Sequence, residues 1–167
     1  MRKILQTIIS CVLAIYSLSA CTHGETTTSY LKIKTDSIII DNEVGDFSIK
    51  ADCPIFKTAA LTKTINEWLS ETMGGTYEGA YNETMPIAKH YINSAFCRDS
   101  ADYTELKKDY FGNDREWKYA YNCNVQKTGE TAKFVTYEYS CYEYQGGAHG
   151  STFVTGQTFR KSDGRRI

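Results

Sequence analysis

Between Trp117 and Tyr144 the chain alternates with a period of two, and that alternation limits what it can fold into. Trp117, Tyr119, Tyr121, Cys123 and Val125 share one face of an extended segment. Lys127-Thr128-Gly129-Glu130 supplies turn residues, and Lys133 to Tyr144 follows as a second tyrosine-rich run. Successive side chains of a strand point to opposite faces, so each run offers one face to a core and one to water. The pair reads as a long β-hairpin, which needs more strands or a helix to be stable. With the turn centred near Thr128, Cys123 is expected opposite Phe134 and Cys141 opposite about Trp117. That register holds the two cysteines farther apart than the roughly 7 Å between Cα atoms that a disulfide can span.

The rest of the chain supplies those partners. Tyr30 to Ile40 predicts a strand, Asp41 to Asp46 a turn, and Phe47 to Ala51 the return strand, closed by Cys53-Pro54. Lys57 to Met73 has helical period, with Ala60, Leu61, Thr64, Ile65, Trp68 and Leu69 on one stripe and Gly74-Gly75 as its stop. A second helix is expected from Glu83 or Thr84, with Ile87, Tyr91, Ala95 and Phe96 inward and His90 half-exposed beside them. Asp99-Ser100-Ala101-Asp102 reads as a break with a fresh N-cap, leading a third short helix, Tyr103 to Tyr110. Thr152 to Phe159 is extended, and Lys161 to Ile167 is a turn entering one more strand. A strand begun at the last residues is what a C-terminal truncation would leave, with an open edge able to pair with another chain. The expected fold class is α+β, an antiparallel β-sheet of hairpins packed against two or three helices.

The N-terminus reads as an address. Arg2 and Lys3 precede an apolar run from Ile4 to Leu18, too short to span a bilayer comfortably. It ends in Leu18-Ser19-Ala20-Cys21, which resembles a bacterial lipobox. That resemblance implies cleavage before Cys21 and a diacylglycerol on its sulfur, with further acyl (palmitate-type) chains giving stable anchoring. The alternative is a secretory signal with an incidental cysteine, and the agreement of all four residues with their position favours the lipobox. The expected organisation is a lipoprotein signal peptide at 1–20, a polar tether at 21–29 and one α+β domain at 30–167, incomplete at its C-terminus. The expected location is the bacterial cell envelope, facing the periplasm or the exterior, with the lipid bilayer as a partner through Cys21.

Composition removes several classes of function. The chain carries 19 basic and 20 acidic residues; without Arg2 and Lys3 its balance moves from -1 to -3. No basic stripe offers a footprint for nucleic acid. Walker and Rossmann glycine patterns are missing from the sequence. After export Cys53, Cys97, Cys123 and Cys141 remain, an even number in a compartment that permits disulfides. Two disulfides or four free thiols both fit. If Cys141 is bridged, the hairpin register gives it Cys53 or Cys97 as partner. Without CxxC spacing, a zinc or thioredoxin-like site is disfavoured. No metal and no cofactor is expected.

Any feature beyond a small exported domain is expected in Tyr137 to Gly150. The strand ends in Gly146-Gly147-Ala148-His149-Gly150, where glycines permit positive φ or a bulge. Gly146, Gly147 and Gly150 are expected to shape a structural turn. His149 has three readings: a turn residue, a partner contact, or a catalytic or metal group. Glu138 and Glu143 lie on opposite faces of one strand and make a poor acid/base pair. Tyr137, Tyr139, Tyr142, Tyr144 and His149 are the expected partner-binding residues, and no catalytic residue is assigned.

These residues support a family likeness. A lipobox, a hairpin, a helix from Pro54 to Leu69, the tyrosine-rich hairpin, Tyr144 to Gly150, and the turn from Phe159 to Arg165 together resemble the RsiV/PdaC-like exported domain family, many of whose members are uncharacterised lipoproteins of the Bacteroides group. The likeness covers about Tyr30 to the end, and members continue with a further α/β half that this chain lacks. It implies an extracytoplasmic binding module. RsiV-type proteins bind lysozyme, and the deacetylase domain that accompanies PdaC-type domains is absent here, so no catalytic residue carries over. The expected function is therefore a membrane-anchored binding module for a lysozyme-like protein or a cell-wall glycan. The alternatives are a cell-wall-acting hydrolase using His149, or an inactive truncated remnant.

Overall fold

The computed structural model describes residues 30–55, 58–107 and 117–167. The expected signal peptide and tether, with Cys21, lie outside them, as do the last three residues of the expected third helix. Seven elements follow in order: β1 (Ile33–Asp41), β2 (Gly45–Pro54), α1 (Ala59–Thr72), α2 (Thr84–Leu106), β3 (Tyr119–Glu130), β4 (Phe134–Tyr144) and β5 (Ser151–Arg160). The strands form one sheet in the order β1-β2-β3-β4-β5. Every pairing is antiparallel except β2 with β3, which run parallel. The α+β class holds, but hairpins alone do not build this sheet.

Local chemistry sets each boundary. The Asn42 side chain accepts hydrogen bonds from the Val44 and Gly45 N–H groups, turning β1 into β2. A Cβ on Gly45 would collide with the Tyr119 carbonyl, so glycine admits β3 alongside the start of β2. Thr58 caps α1 by accepting from the Leu61 N–H at 3.3 Å. Gly74 and Gly75 adopt φ of 127° and 71°, and the Gly75 N–H returns to the Ser70 carbonyl at 2.8 Å.

A single apolar cluster lies between the helices and one face of the sheet. Phe47, Ile49 and Ala51 of β2, Tyr119, Cys123 and Val125 of β3, and Val135 and Tyr137 of β4 supply the sheet side. Leu61, Ile65, Trp68 and Leu69 of α1 and Ile87, Ile92 and Ala95 of α2 supply the other. Each large side chain removed from water contributes about 1.5–3 kcal/mol. α2 crosses β1, β2 and β3, while α1 lies beside β5.

Two expectations are corrected. The break at Asp99 to Asp102 is absent: Tyr103 to Leu106 continue α2. Asp99 lies four residues beyond Ala95 on the inward face and is fully buried. The Arg98 guanidinium satisfies its carboxylate through Nε at 2.7 Å and Nη2 at 3.2 Å, so the aspartate is a paired core residue and not a cap. The hairpin register also differs. Lys127 to Glu130 does not turn; the register shifts between Lys127 and Gly129, and β3 continues to Glu130. The turn comes at Thr131, whose hydroxyl accepts from the Lys133 and Phe134 N–H groups. Cys123 therefore faces Cys141, with 4.0 Å between Cα atoms, and the two form a disulfide. Cys53 and Cys97 are free.

Glu130 ties the chain's distant parts together. Its nearly buried carboxylate binds Lys127 at 2.7 Å and Lys161 at 2.6 Å, and accepts from the Leu31 N–H at 2.5 Å. Burial alone would push this carboxyl up, but the hydrogen bonds from Lys127, Lys161 and Leu31 outweigh it and hold it below the usual glutamate range. A depressed folded pKa gives stability that is present above the unfolded value and lost as pH falls through the folded one. Glu130→Gln is expected to cost roughly 2–4 kcal/mol near pH 7, because two largely buried lysines lose their carboxylate. Urea unfolding at several acidic pH values should show the parent losing stability below about pH 4.3 more steeply than the variant. Parallel pH profiles would contradict this role.

Candidate functional site

The connection from β4 to β5 is built by backbone geometry. Gly146 and Gly147 both take positive φ, 96° and 95°, which side chains with a Cβ rarely adopt. The Tyr144 hydroxyl donates to the Gly147 carbonyl at 2.8 Å and closes the turn. Gly146 packs against the Trp117 ring, and a Cβ on Gly150 would run into the Tyr142 ring. His149 is exposed, with Nδ1 3.2 Å from the Gly150 carbonyl. No carboxylate is hydrogen-bonded to it among the described residues. Among the same residues, no group of three or more His, Cys, Asp or Glu side chains converges as metal ligands would.

The expected contact tyrosines do not share a surface. Odd-numbered residues of β4 face the helices and even-numbered ones face away. Tyr137 is 0% exposed and Tyr139 3% exposed, so neither presents itself to a partner. Burial pushes both hydroxyls up in pKa. The Tyr137 hydroxyl has no hydrogen-bond partner among the described residues, which marks it as a packing group. Tyr142, 42% exposed, lies on the opposite face in a rank with Ser48, Asn122 and Thr152. The Ser48 hydroxyl donates to the Asn122 side-chain amide oxygen at 2.5 Å across that rank.

On the helix-facing side, the sheet extends beyond its cover and leaves a groove of about 420 Å³. Its walls are the loop from Thr72 to Thr76, the α2 residues Tyr91, Ser94 and Arg98, and the sheet residues Tyr121, Tyr139, Cys141, Glu143, Ser151 and Phe153. Tyr91 fixes the loop: its hydroxyl donates to the Ser70 carbonyl at 3.0 Å and accepts from the Thr76 N–H at 2.9 Å. Arg98 spans the groove, since Nη2 also reaches Glu143 at 2.6 Å. The Asp99 carboxylate foremost, and Glu143 after it, favour the charged guanidinium against its desolvation. These bonds engage Nε and Nη2 but not Nη1. Phe153 lines the groove and is 55% exposed. The disulfide lies on the same face, where the Tyr139 hydroxyl approaches the Cys123 sulfur at 3.3 Å.

Sequence reasoning missed this site. Asp99 falls in the expected helix break at Asp99 to Asp102, Arg98 just before it carries no spacing signal, and Glu143 is weighed only against Glu138. The available signal was parity: Phe153 pairs with Cys141 and so shares its face. A larger cavity, about 780 Å³, lies between the ends of β1 and β2 and residues 80–85. It holds the free Cys53, and burial pushes the pKa of its thiol up. Its rim includes Ile55, the last described residue before residues 56 and 57.

The architecture defines a class: one mixed sheet with both helices on a single face. No family model matches the sequence, and no curated protein does. Among solved structures, the chain is similar to a DUF3298-family member from Bacteroides fragilis NCTC 9343. The TM-score is 0.56 with 18% identity, over 82% of this chain and 59% of that one. It also matches a DUF3298-family protein from Pseudomonas aeruginosa PAO1, with a TM-score of 0.48 and 13% identity over 84% and 56% of the two chains. The chain thus spans less than three-fifths of the length of either. The first likeness shows a shared fold; the second adds nothing to that argument. Both similar structures carry the DUF3298 name, and the RsiV/PdaC likeness rests on sequence residues.

The disulfide joins strands that already pair, 18 residues apart in sequence. Replacing Cys123 and Cys141 together by alanine is expected to cost about 3 kcal/mol in chemical denaturation. A double variant as stable as the parent would show that the bridge contributes nothing to the groove floor.

Proposed function

We propose that the protein is a membrane-anchored, extracytoplasmic binding module of DUF3298 type that takes a segment of cell-wall glycan in the groove between α2 and the ends of β3, β4 and β5. The groove's lining carries this reading. An exposed aromatic face, Phe153, stands beside polar groups on both walls: Ser94 and Arg98 on α2, Glu143 and Ser151 on the sheet. Sugars present C–H faces and hydroxyl edges together, and such a wall complements both. At about 420 Å³ the groove falls within the roughly 300–1,000 Å³ of small-ligand sites. A stable protein partner would instead cover about 800 Å² on each side. Arg98 keeps Nη1 outside its internal bonds, which leaves a donor for a sugar oxygen or a carboxylate.

The lipobox supplies the setting. Cys21→Ser is expected to move the protein from the detergent phase to the aqueous phase on phase partitioning, with loss of the acyl mass by mass spectrometry. Unchanged partitioning would remove the anchor from this reading.

Calorimetry with soluble peptidoglycan fragments tests the ligand. The parent is expected to bind, and Phe153→Ala, at an exposed position, to bind roughly tenfold more weakly with unchanged thermal stability. Silence towards glycan, with binding to a lysozyme-like protein run in parallel, would replace this reading by the protein-binding one.

A further inference from the structure

The groove between α2 and the sheet is not electrically neutral. Arg98 and Glu143 are the charged residues of its lining, and Asp99 is paired to Arg98 from the buried side. One guanidinium thus meets two carboxylates, and the cluster keeps a surplus of one negative charge. The accessible share of that surplus sits on Glu143, whose side chain is 35% exposed against 1% for Asp99.

The bonding pattern leaves one acceptor and one donor over. Glu143 Oε1 accepts from Arg98 Nη2 at 2.6 Å and from Gln145 Nε2 at 3.0 Å. Its Oε2 atom has no hydrogen-bond partner among the described residues, and Arg98 Nη1 stands outside the internal bonds in the same way. Each of these atoms is one carbon removed from the Nη2–Oε1 contact, so both belong to the same spot on the wall. Phe153 sets the reach. Glu143 pairs with Ser151, which makes Phe153 its diagonal neighbour on the same face of the sheet, roughly 7–8 Å away. A single sugar ring laid against Phe153 reaches Glu143 with one of its substituents.

We propose that the groove selects an amino sugar whose amine is free, with Glu143 as the residue that reads it. The inference rests on the glycan reading above and names the sugar within it. The ammonium donates to Glu143 Oε2, the hydroxyl oxygen on the adjacent carbon accepts from Arg98 Nη1, and the C–H face of the ring lies on Phe153. A 2-amino-2-deoxy sugar carries its amine and a hydroxyl on neighbouring carbons, which matches the acceptor and donor that the wall leaves over. A hydrogen bond with charge on both partners is stronger than a neutral one. N-acylation turns the ammonium into a neutral amide and removes most of its donors, so the acylated sugar loses the charge complementarity that discriminates. A sugar carboxylate reaches Arg98 Nη1 only against the surplus negative charge. The ligand class is therefore a cell-wall glycan in which some amino groups carry no acyl group.

Calorimetry of the full chain in detergent, at a mildly acidic pH that protonates the sugar amines, tests the proposal with a matched pair of probes: tetraglucosamine and its fully N-acetylated form. The free-amine form is expected to bind at least roughly tenfold more tightly, and added salt should narrow the ratio. Glu143→Gln keeps the shape of the side chain and removes its charge, and it is expected to bring the ratio close to one. Spermine, a polyamine without a sugar ring, should bind more weakly than tetraglucosamine. Equal affinity for the two sugars, or tighter binding of the acetylated one, would overturn the amine selectivity and leave the glycan reading standing. Silence towards both would overturn the two together. A Glu143→Gln chain that retains the full ratio would remove Glu143 from the role, and spermine binding as tightly as the sugar would reduce the effect to bare charge and overturn the proposal.

Discussion

The parallel pairing of β2 with β3 is the constraint from which the rest of the structure follows. Two antiparallel strands can be joined by a short turn, but two parallel neighbours need a long crossover. Here that crossover runs from Pro54 to Tyr119 and contains both helices. Both pack into one cluster on one side of the sheet, so the opposite face keeps its Ser, Asn and Thr ranks in water. Two helices cannot cover five strands evenly. α2 takes β1 to β3, α1 takes the neighbourhood of β5, and the uncovered corner becomes the groove.

Much of the fold was legible because periodicity reports burial. The α1 stripe of Leu61, Ile65, Trp68 and Leu69, and the alternation from Tyr119 to Val125, are both direct consequences of one buried face. The failures occurred where two physical explanations of the same residues compete. Lys127-Thr128-Gly129-Glu130 has turn composition, yet glycine also permits a bulge, and only Thr131's hydroxyl decides in favour of the later turn. Asp99 has cap composition, yet a neighbouring arginine can carry it into a core. The parallel contact could not be read at all, since neither strand records its neighbour's direction.

The candidate site was less visible than the fold. Attention went to the glycine turn because its residue types are rare, and those glycines are explained by backbone shape and by the approach of Trp117 and Tyr142. The groove is lined by ordinary residues from α2, β3, β4 and β5 whose convergence is a tertiary fact. Parity along β4 would have separated Tyr137 and Tyr139 from Tyr142 and Tyr144, and so divided the expected contact set in two.

The ties that close this molecule join residues far apart in sequence. Leu31 bonds Glu130, Glu71 pairs with Arg166, and Ser48 bonds Asn122. Gly164 sits so close to the Ala60 carbonyl that a Cβ would lie 2.9 Å from it, so the last turn packs directly on the start of α1. Such long-range closure makes folding slow relative to helical proteins of similar size. It also sets a sequence in time: a chain emerging N-terminus first cannot complete the seat of α1 until its final residues have arrived.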